Sequence, residues 1–172
     1  MCKDGFVNRR LFLALPILVA LAGCGGSSSG GSKLVTNPNV TFSVDETSIS
    51  KNIKTVNNGA GTVGSNQLTG TTTVGSSSAT VEVMANVIYT NGSGPFFGIM
   101  AVTLGDGSIL TARMDGNAVL NSVTNVTAFD CKLTVVGGTG QYLNATGSGI
   151  FTGTRSTALG GAVHMDVQLS VK

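Results

Sequence analysis

Hydrophobic and polar residues alternate along much of the chain after residue 80, as expected for β-strands that bury one face. In the segment 80–90, one face consists of Val81, Val83, Ala85, Val87 and Tyr89. Together with the turn signals, the pattern predicts strands over 80–90, 95–104, 108–114, 127–136, 145–154 and 161–171. No helix of useful length is predicted in this region. The pattern therefore predicts an all-β domain.

Turn residues separate these strands at short intervals. Asn91-Gly92 is typical of a tight hairpin turn, because both residues tolerate positive φ at low cost. Asp106-Gly107 and Asp115-Gly116 predict two further turns, and the Gly-Gly-Thr-Gly run at 137–140 ends the next strand. This spacing predicts an antiparallel meander.

Glycine also recurs on one face of a predicted strand. Gly147, Gly149 and Gly153 are two or four residues apart, and such glycines let a sheet bend sharply or let other groups approach its backbone. This feature favours a closing barrel. Upstream, the Gly-, Ser- and Thr-rich stretch 57–78 predicts a long loop with one irregular or edge strand.

The first 23 residues have the three parts of a secretory signal, namely a charged start, an apolar stretch at 11–22 and small residues before the cut. Twelve apolar residues cover roughly 18 Å as a helix, well short of a hydrocarbon core of roughly 30 Å. The ending Leu21-Ala22-Gly23-Cys24 resembles the lipobox of bacterial lipoproteins. That resemblance implies that Cys24 becomes an acylated mature N-terminus. The alternative is an ordinary secretory signal with an incidental cysteine.

The remaining chain divides into a tether and one domain. Residues 24–32 are the lipidated cysteine and a flexible Gly/Ser tether, and 33–172 is long enough for a single domain with its own core. Two or more acyl chains anchor a protein stably to a membrane. Gly25, with no Asp after the cysteine, resembles signals that let lipoproteins reach an outer membrane. The expected location is therefore the bacterial cell envelope, at the outer membrane where the cell has one.

Removal of residues 1–23 changes the charge balance. The whole chain carries +2, but the part from residue 24 onward has seven basic and seven acidic residues. Phosphate binding needs a clustered positive surface, so nucleic acid is not an expected partner. One histidine, a lone domain cysteine and scattered carboxylates do not predict a metal site, and no cofactor is expected. Cys131 lies on an apolar face, which predicts a buried, inert thiol.

The segment Val135–Tyr142, followed by Ala145, Gly147 and Gly149, resembles the glycine-turn signature of allene oxide cyclases and dirigent proteins. The upstream stretch Leu104–Ile109 is similar to a hairpin of those families, and the resemblance covers roughly residues 97 to 154. It implies an eight-stranded antiparallel β-barrel with an apolar lumen, often trimeric, and hence a possible homotrimer. Closure would leave no exposed strand edge. A β-sandwich is the alternative fold.

Neither family activity transfers residue by residue. Allene oxide cyclases use a Glu on the first strand and a Cys on an early strand, whereas Cys131 lies just ahead of the glycine turn. The region before residue 80 does not align well enough to nominate Asp45 or Glu46 as that Glu. Dirigent proteins carry an Arg shortly after the glycine turn, and the stretch 142–147 contains none.

Four polar residues are candidate ligand-binding groups if they point into a lumen: Glu82, Tyr89, Arg113 and Tyr142. The alternative is that each lies outside or on the rim. His164 shares a strand face with polar residues, which predicts a solvated position rather than a catalytic one.

Three functions of different classes remain open. The first is a membrane-tethered barrel that binds a small apolar molecule or has a non-catalytic envelope role. The second is a cyclase or isomerase, which requires an internal acid or base with a shifted pKa; Glu82 is the one candidate from the sequence. The third is a structural or adhesive lipoprotein with a solid interior. A cavity with a buried carboxylate would favour the second, and a filled lumen the third.

Overall fold

The computed structural model describes residues 39–56, 58, 60–156 and 158–172. The predicted signal peptide, the lipid-attachment residue Cys24 and the Gly/Ser tether lie outside the described residues. The predicted domain 33–172 is described from residue 39 onward.

The described residues form a closed barrel of eight antiparallel strands, each paired with its neighbours in chain order. The strands are β1 (Asn39–Val56), β2 (Gly61–Val74), β3 (Ser77–Thr90), β4 (Gly94–Leu104), β5 (Ile109–Asn121), β6 (Val126–Gly138), β7 (Gly147–Arg155) and β8 (Val163–Val171). The predicted eight-stranded antiparallel barrel is confirmed, and the alternative β-sandwich is wrong.

A single turn of 3₁₀ helix, Gly140–Tyr142, lies between β6 and β7. In the described part of the chain, no helix has the length and apolar character needed to cross a membrane.

The barrel closes where its first strand meets its last. Residues Asn39–Glu46 of β1 pair with Val163–Ser170 of β8 in antiparallel register. Most strands then bury alternate residues, as in β8, where five apolar side chains point inward and the four between them are exposed. Since 39–171 supplies all eight strands and their core, this part of the chain carries what independent folding requires.

The two ends of the barrel differ in what covers them. At the end where β1 begins, here called the proximal end, the connections are 75–76, 105–108 and 139–146. At the opposite, distal end they are 57–60, 91–93, 122–125 and 156–162. The 3₁₀ turn belongs to the proximal end and places the fully buried Tyr142 there.

The outer face of the β1–β8 seam carries a polar link between the two strands. Nδ1 of His164 lies 2.7 Å from Oδ1 of Asp45, and Nε2 lies 3.6 Å from Oδ1 of Asp166. The hydrogen bond with Asp45 raises the pKa of His164. His164 is therefore the solvated strand residue that its alternation predicts, and it also connects the first and last strands.

The stretch 57–78 contains one strand, as predicted, but that strand is neither at an edge nor part of a long loop. Strand β2 occupies Gly61–Val74 and pairs along its length with both β1 and β3. Leu68 and Val74 are buried, but Asn66 is also buried, and most other positions are Gly, Ser or Thr. Because Asn66 points inward and most outer positions are small, β2 lacks the clear alternation of apolar and polar residues from which other strands are predicted.

The turn predicted at Asp115-Gly116 is also wrong, because β5 runs through this pair without interruption. A Cβ at Gly116 would lie 2.3 Å from Cζ of Phe96 on the neighbouring strand. This glycine therefore makes room for an inward-pointing phenylalanine ring and does not mark a turn. The turn at Asn91-Gly92 is confirmed, with φ values of 49° and 80°.

The recurring glycines of β7 all lie against the backbone of β8. A Cβ at Gly147, Gly149 or Gly153 would lie 2.1, 2.0 or 2.4 Å from a β8 carbonyl oxygen. These distances are too short for any side chain. The glycines thus permit the tight approach of β7 to β8 beside the closing seam, as their spacing predicts.

We expect Gly149→Ala to lower the free energy of unfolding by about 1–3 kcal/mol, because the added methyl group overlaps the Gln168 carbonyl oxygen. Urea denaturation of residues 33–172 measures the change. Gly105→Ala is the matched control, since its Cβ would meet nothing closer than 3.5 Å, and its effect should stay within about 0.5 kcal/mol. Equal effects of the two substitutions would contradict this role for the β7 glycines.

Candidate ligand-binding site

A small apolar cavity lies in the barrel interior and extends towards the distal end. Its volume is about 40 Å³, enough for one or a few water-sized groups. Three of its lining residues are phenylalanines, and the ring of Phe96 packs edge-on against Phe129 at 5.7 Å and tilted against Phe151 at 5.8 Å. The aromatic cluster and the surrounding aliphatic residues make this cavity suited to an apolar group.

The cavity adjoins a wider depression at the distal end. This depression has a volume of about 370 Å³, and both spaces are lined by Tyr89, Arg155 and Leu159. The three residues therefore stand at the boundary between the interior and the distal surface. We call this boundary the distal mouth.

Arg155 is the charged group of the distal mouth and is 7% exposed. Its Nη2 donates a hydrogen bond of 3.2 Å to Oγ1 of Thr127, and the guanidinium carbon lies 5.4 Å from the ring centre of Phe129. Burial lowers the pKa of Arg155, while the charge and hydrogen bond of Tyr89 oppose that change. Burial likewise raises the pKa of Tyr89, and Arg155 opposes it. The mouth thus holds a cation and a phenol in contact with each other.

Glu46, on β1, is fully buried, and neither of its carboxyl oxygens has a hydrogen-bond partner. Burial raises the pKa of this carboxyl from 4.5 to about 8. The side chain is therefore mostly protonated, and neutral, at pH 7. A buried polar group without a partner is rare in native proteins and costs about 1–3 kcal/mol.

The position of Glu46 connects it with the cavity. Its partner across the β1–β8 seam is Val163, and two residues further along β1, Ser48 pairs with Leu68. Val163 and Leu68 both line the cavity. The carboxyl itself has no exposed surface, so a group in the cavity would touch the neighbours of Glu46 and would reach the carboxyl only after they shift.

Two of the four residues singled out from the sequence point inward. Tyr89 is buried at the distal mouth, and Tyr142 is buried at the proximal end with its hydroxyl group unpartnered. Burial raises the pKa of Tyr142. These two tyrosines belong to opposite ends of the barrel, so they do not form one site. Tyr89 lies in the site described above, while Tyr142 closes the other end.

Glu82 and Arg113 lie on the outer surface and are exposed, which corrects their assignment as possible lumen groups. Each sits between two buried neighbours on its strand, such as Val81 and Val83 around Glu82. The interior acid that the cyclase hypothesis requires is therefore Glu46 and not Glu82.

The sequence contained a signal for Glu46 that the prediction missed. Val40, Phe42 and Val44 alternate with polar residues at the start of β1, and Glu46 continues the same period. A carboxylate that occupies the next apolar position of an amphipathic strand should point into the core. Arg155 carried a weaker signal, because it follows the inward Gly153 by two residues at the end of β7.

Cys131 is a free, buried thiol, and burial raises its pKa to about 12. The predicted burial is thus confirmed, and a thiol with so high a pKa is a poor nucleophile. His164 lies outside the barrel, on the opposite face of the sheet from this inward thiol.

We expect Glu46→Gln to stabilise the barrel, and the gain to grow as the pH rises from 5 to 8. The unfolded chain releases the Glu46 proton near pH 4.5, whereas the folded barrel holds it until about pH 8. Between these values unfolding releases a proton, so stability falls as the pH rises, by at most about 1.4 kcal/mol per pH unit for this group. Glutamine removes that dependence.

Urea unfolding of both proteins at several pH values measures the difference. His164, whose pKa is raised by its hydrogen bond with Asp45, is present in both proteins, so its contribution cancels. Glu82→Gln is the control, because it removes the other glutamate from an exposed position, and its curve should follow that of the unaltered protein. A stability difference for Glu46→Gln that stays constant from pH 5 to 8 would contradict a buried, protonated Glu46.

Comparison of the chain with protein-family models, with curated proteins and with solved structures finds no match in any of the three. The resemblance to allene oxide cyclases and dirigent proteins thus rests on residues 97 to 154 of the sequence. Function has to be argued from the site itself.

Proposed function

We propose that the protein is a lipid-anchored envelope protein whose barrel binds one small, mainly apolar molecule at its distal end. The observation that carries the proposal is the unpartnered carboxyl of Glu46 in a mainly apolar interior next to a cavity. Ligand pockets combine apolar walls with a few polar groups that orient the ligand. Once the residues between Glu46 and the cavity shift, a hydrogen-bond acceptor on the ligand would give the neutral carboxyl the partner that it lacks.

The dimensions of the site restrict the ligand. The cavity of about 40 Å³ admits only a small apolar group, and the rest of the molecule must occupy the distal mouth beside Arg155 and Tyr89. The ligand is therefore expected to insert one end into the barrel, with polar atoms near the guanidinium and the phenol. A solid interior, which a purely structural role requires, fits the proximal end with its buried Tyr142 better than the distal end.

An isomerase or cyclase is the second candidate, and the raised pKa of Glu46 favours it. A carboxyl that keeps its proton at neutral pH can donate that proton to a reacting oxygen and take one back, which is general acid–base catalysis. Isomerisation and cyclisation need no further reactant. The step would require the residues between Glu46 and the cavity to move when the substrate enters.

Membrane attachment is the remaining part of the proposal, and it is supported by the lipobox-like sequence ending at Cys24. The zero formal charge of the chain after residue 23 offers no polybasic patch to bind a membrane surface. Acyl chains on Cys24 would therefore supply the attachment, with the Gly/Ser tether connecting them to the barrel.

We expect native mass spectrometry of residues 33–172, purified without detergent, to show a single added mass that is lost on denaturation. Ala85→Phe should abolish this adduct, because Ala85 lines the cavity and the larger ring fills it. Ala101→Phe, at a partly exposed position outside the barrel, is the matched control and should retain it. Circular dichroism confirms that both variants fold.

Absence of any adduct in the unaltered protein, together with failure of a small apolar probe such as benzene to bind, would overturn the binding function. An adduct that Ala85→Phe retains in full would place the ligand elsewhere.

We expect Cys24→Ser to release the full chain from the membrane fraction when it is produced in a bacterium. Serine lacks the thiol to which the lipid would be attached, so the chain loses its anchor. Cell fractionation and the intact mass of the mature protein measure the effect. Cys2→Ser is the control, because Cys2 leaves with the signal peptide. A mature protein without acyl mass, or equal membrane retention of both variants, would contradict lipidation at Cys24.

A further inference from the structure

An apolar patch covers part of the outer surface of β2, β3 and β4. Its members are Val63, Met84, Ile88, Phe97 and Ile99, each between 38% and 57% exposed. Outer positions of a soluble barrel are normally polar, and a contiguous exposed apolar patch usually marks an interaction site. We call these five residues the outer patch.

The register of the strands arranges three residues of the outer patch, together with their neighbours, in two parallel rows across the sheet. The first row is Met84, Ile99 and Arg113, and the second is Asn86, Phe97 and Asp115. Each row thus runs from β3 through an apolar residue on β4 to a charged residue on β5. Arg113 and Asp115 are both exposed, carry opposite charges and lie two residues apart on the same strand face.

This arrangement is complementary to itself. Two copies can be related by a two-fold axis that lies in the contact plane, runs perpendicular to the strands and passes midway between the rows. This axis places the first row of one copy against the second row of the other copy. Arg113 then faces Asp115 of the partner subunit, Ile99 faces Phe97 of the partner subunit, and both contacts occur twice. We infer that the outer patch is the interface of an isologous dimer of this chain, formed by face-to-face packing of β3–β5.

Two further features support a second copy of this chain as the partner that covers the outer patch. The closed barrel has no free strand edge, so association has to use a face of the sheet. The chain after residue 23 has no net formal charge, so two copies approach without overall repulsion. The family resemblance implies a trimer. An interface around a three-fold axis joins two different surfaces of the chain, whereas the paired rows form a contact between two copies of the same surface. The rows therefore favour a dimer.

Charge exchange between the two rows tests the inference. Arg113→Asp places like charges at both charge contacts, and so does Asp115→Arg, so each substitution should raise the dimer dissociation constant about tenfold or more. The double variant Arg113→Asp with Asp115→Arg restores opposite charges and should recover the dimer. Sedimentation equilibrium on residues 33–172 measures all four proteins, and the same variants of the full chain in mild detergent give the result for the anchored protein.

The apolar contact has its own matched pair of variants. Ile99→Asp should convert the dimer to monomer, whereas Ile150→Asp should not. Ile150 is similarly exposed, at 46% against 41% for Ile99, but it lies on β7, three strands away from β4. Monomer at every concentration, a trimer, or a dimer indifferent to the charge exchange would each overturn the inference.

Discussion

The pairing of β1 with β8 is the constraint on which the rest of the structure depends. Eight residues of each strand take part, from Asn39 opposite Ser170 to Glu46 opposite Val163. Without this seam the sheet would have two free edges and one open face. With it, every strand has two neighbours, and one face of each strand is withdrawn from water. The β7 glycines and the His164–Asp45 link both lie at or beside this seam, so local sequence features support the same closure.

Closure determines the chemistry of the interior. A carboxyl at the end of the seam can no longer reach water, so Glu46 keeps its proton to about pH 8, and its oxygens depend on partners from within the barrel. A buried carboxyl without such partners is costly to the folded state. At the distal mouth, Arg155 and Tyr89 satisfy each other in part. Both proposed activities, ligand binding and acid–base catalysis, depend on this difference between the distal half, which holds Glu46, Arg155 and Tyr89, and the proximal end, where Tyr142 is buried.

The sequence alone was sufficient to predict the strands in which apolar and polar residues alternate clearly. The inward faces of β3, β6 and β8 could be assigned from residues such as Val81, Leu133 and Val167. It was insufficient where an inward position is polar or empty, because hydrophobic periodicity then loses its signal. Asn66 concealed β2 in this way. The apolar residues around Glu82 favour an internal acid, although its position in the alternation places it outside. The pairing of distant segments, which brings Arg155 beside Tyr89, cannot be predicted from local patterns.

The protonation of Glu46 is the central claim of this account, and it can be measured directly. The chain contains two glutamates, Glu46 and Glu82, so labelling the glutamate side-chain carboxyl carbon with ¹³C gives two resonances, which Glu46→Gln assigns. We predict that the Glu46 resonance changes with a midpoint near pH 8 in the folded barrel. A midpoint near the ordinary value of 4.5 would contradict the claim and, with it, the proposed role of a neutral carboxyl in the barrel interior.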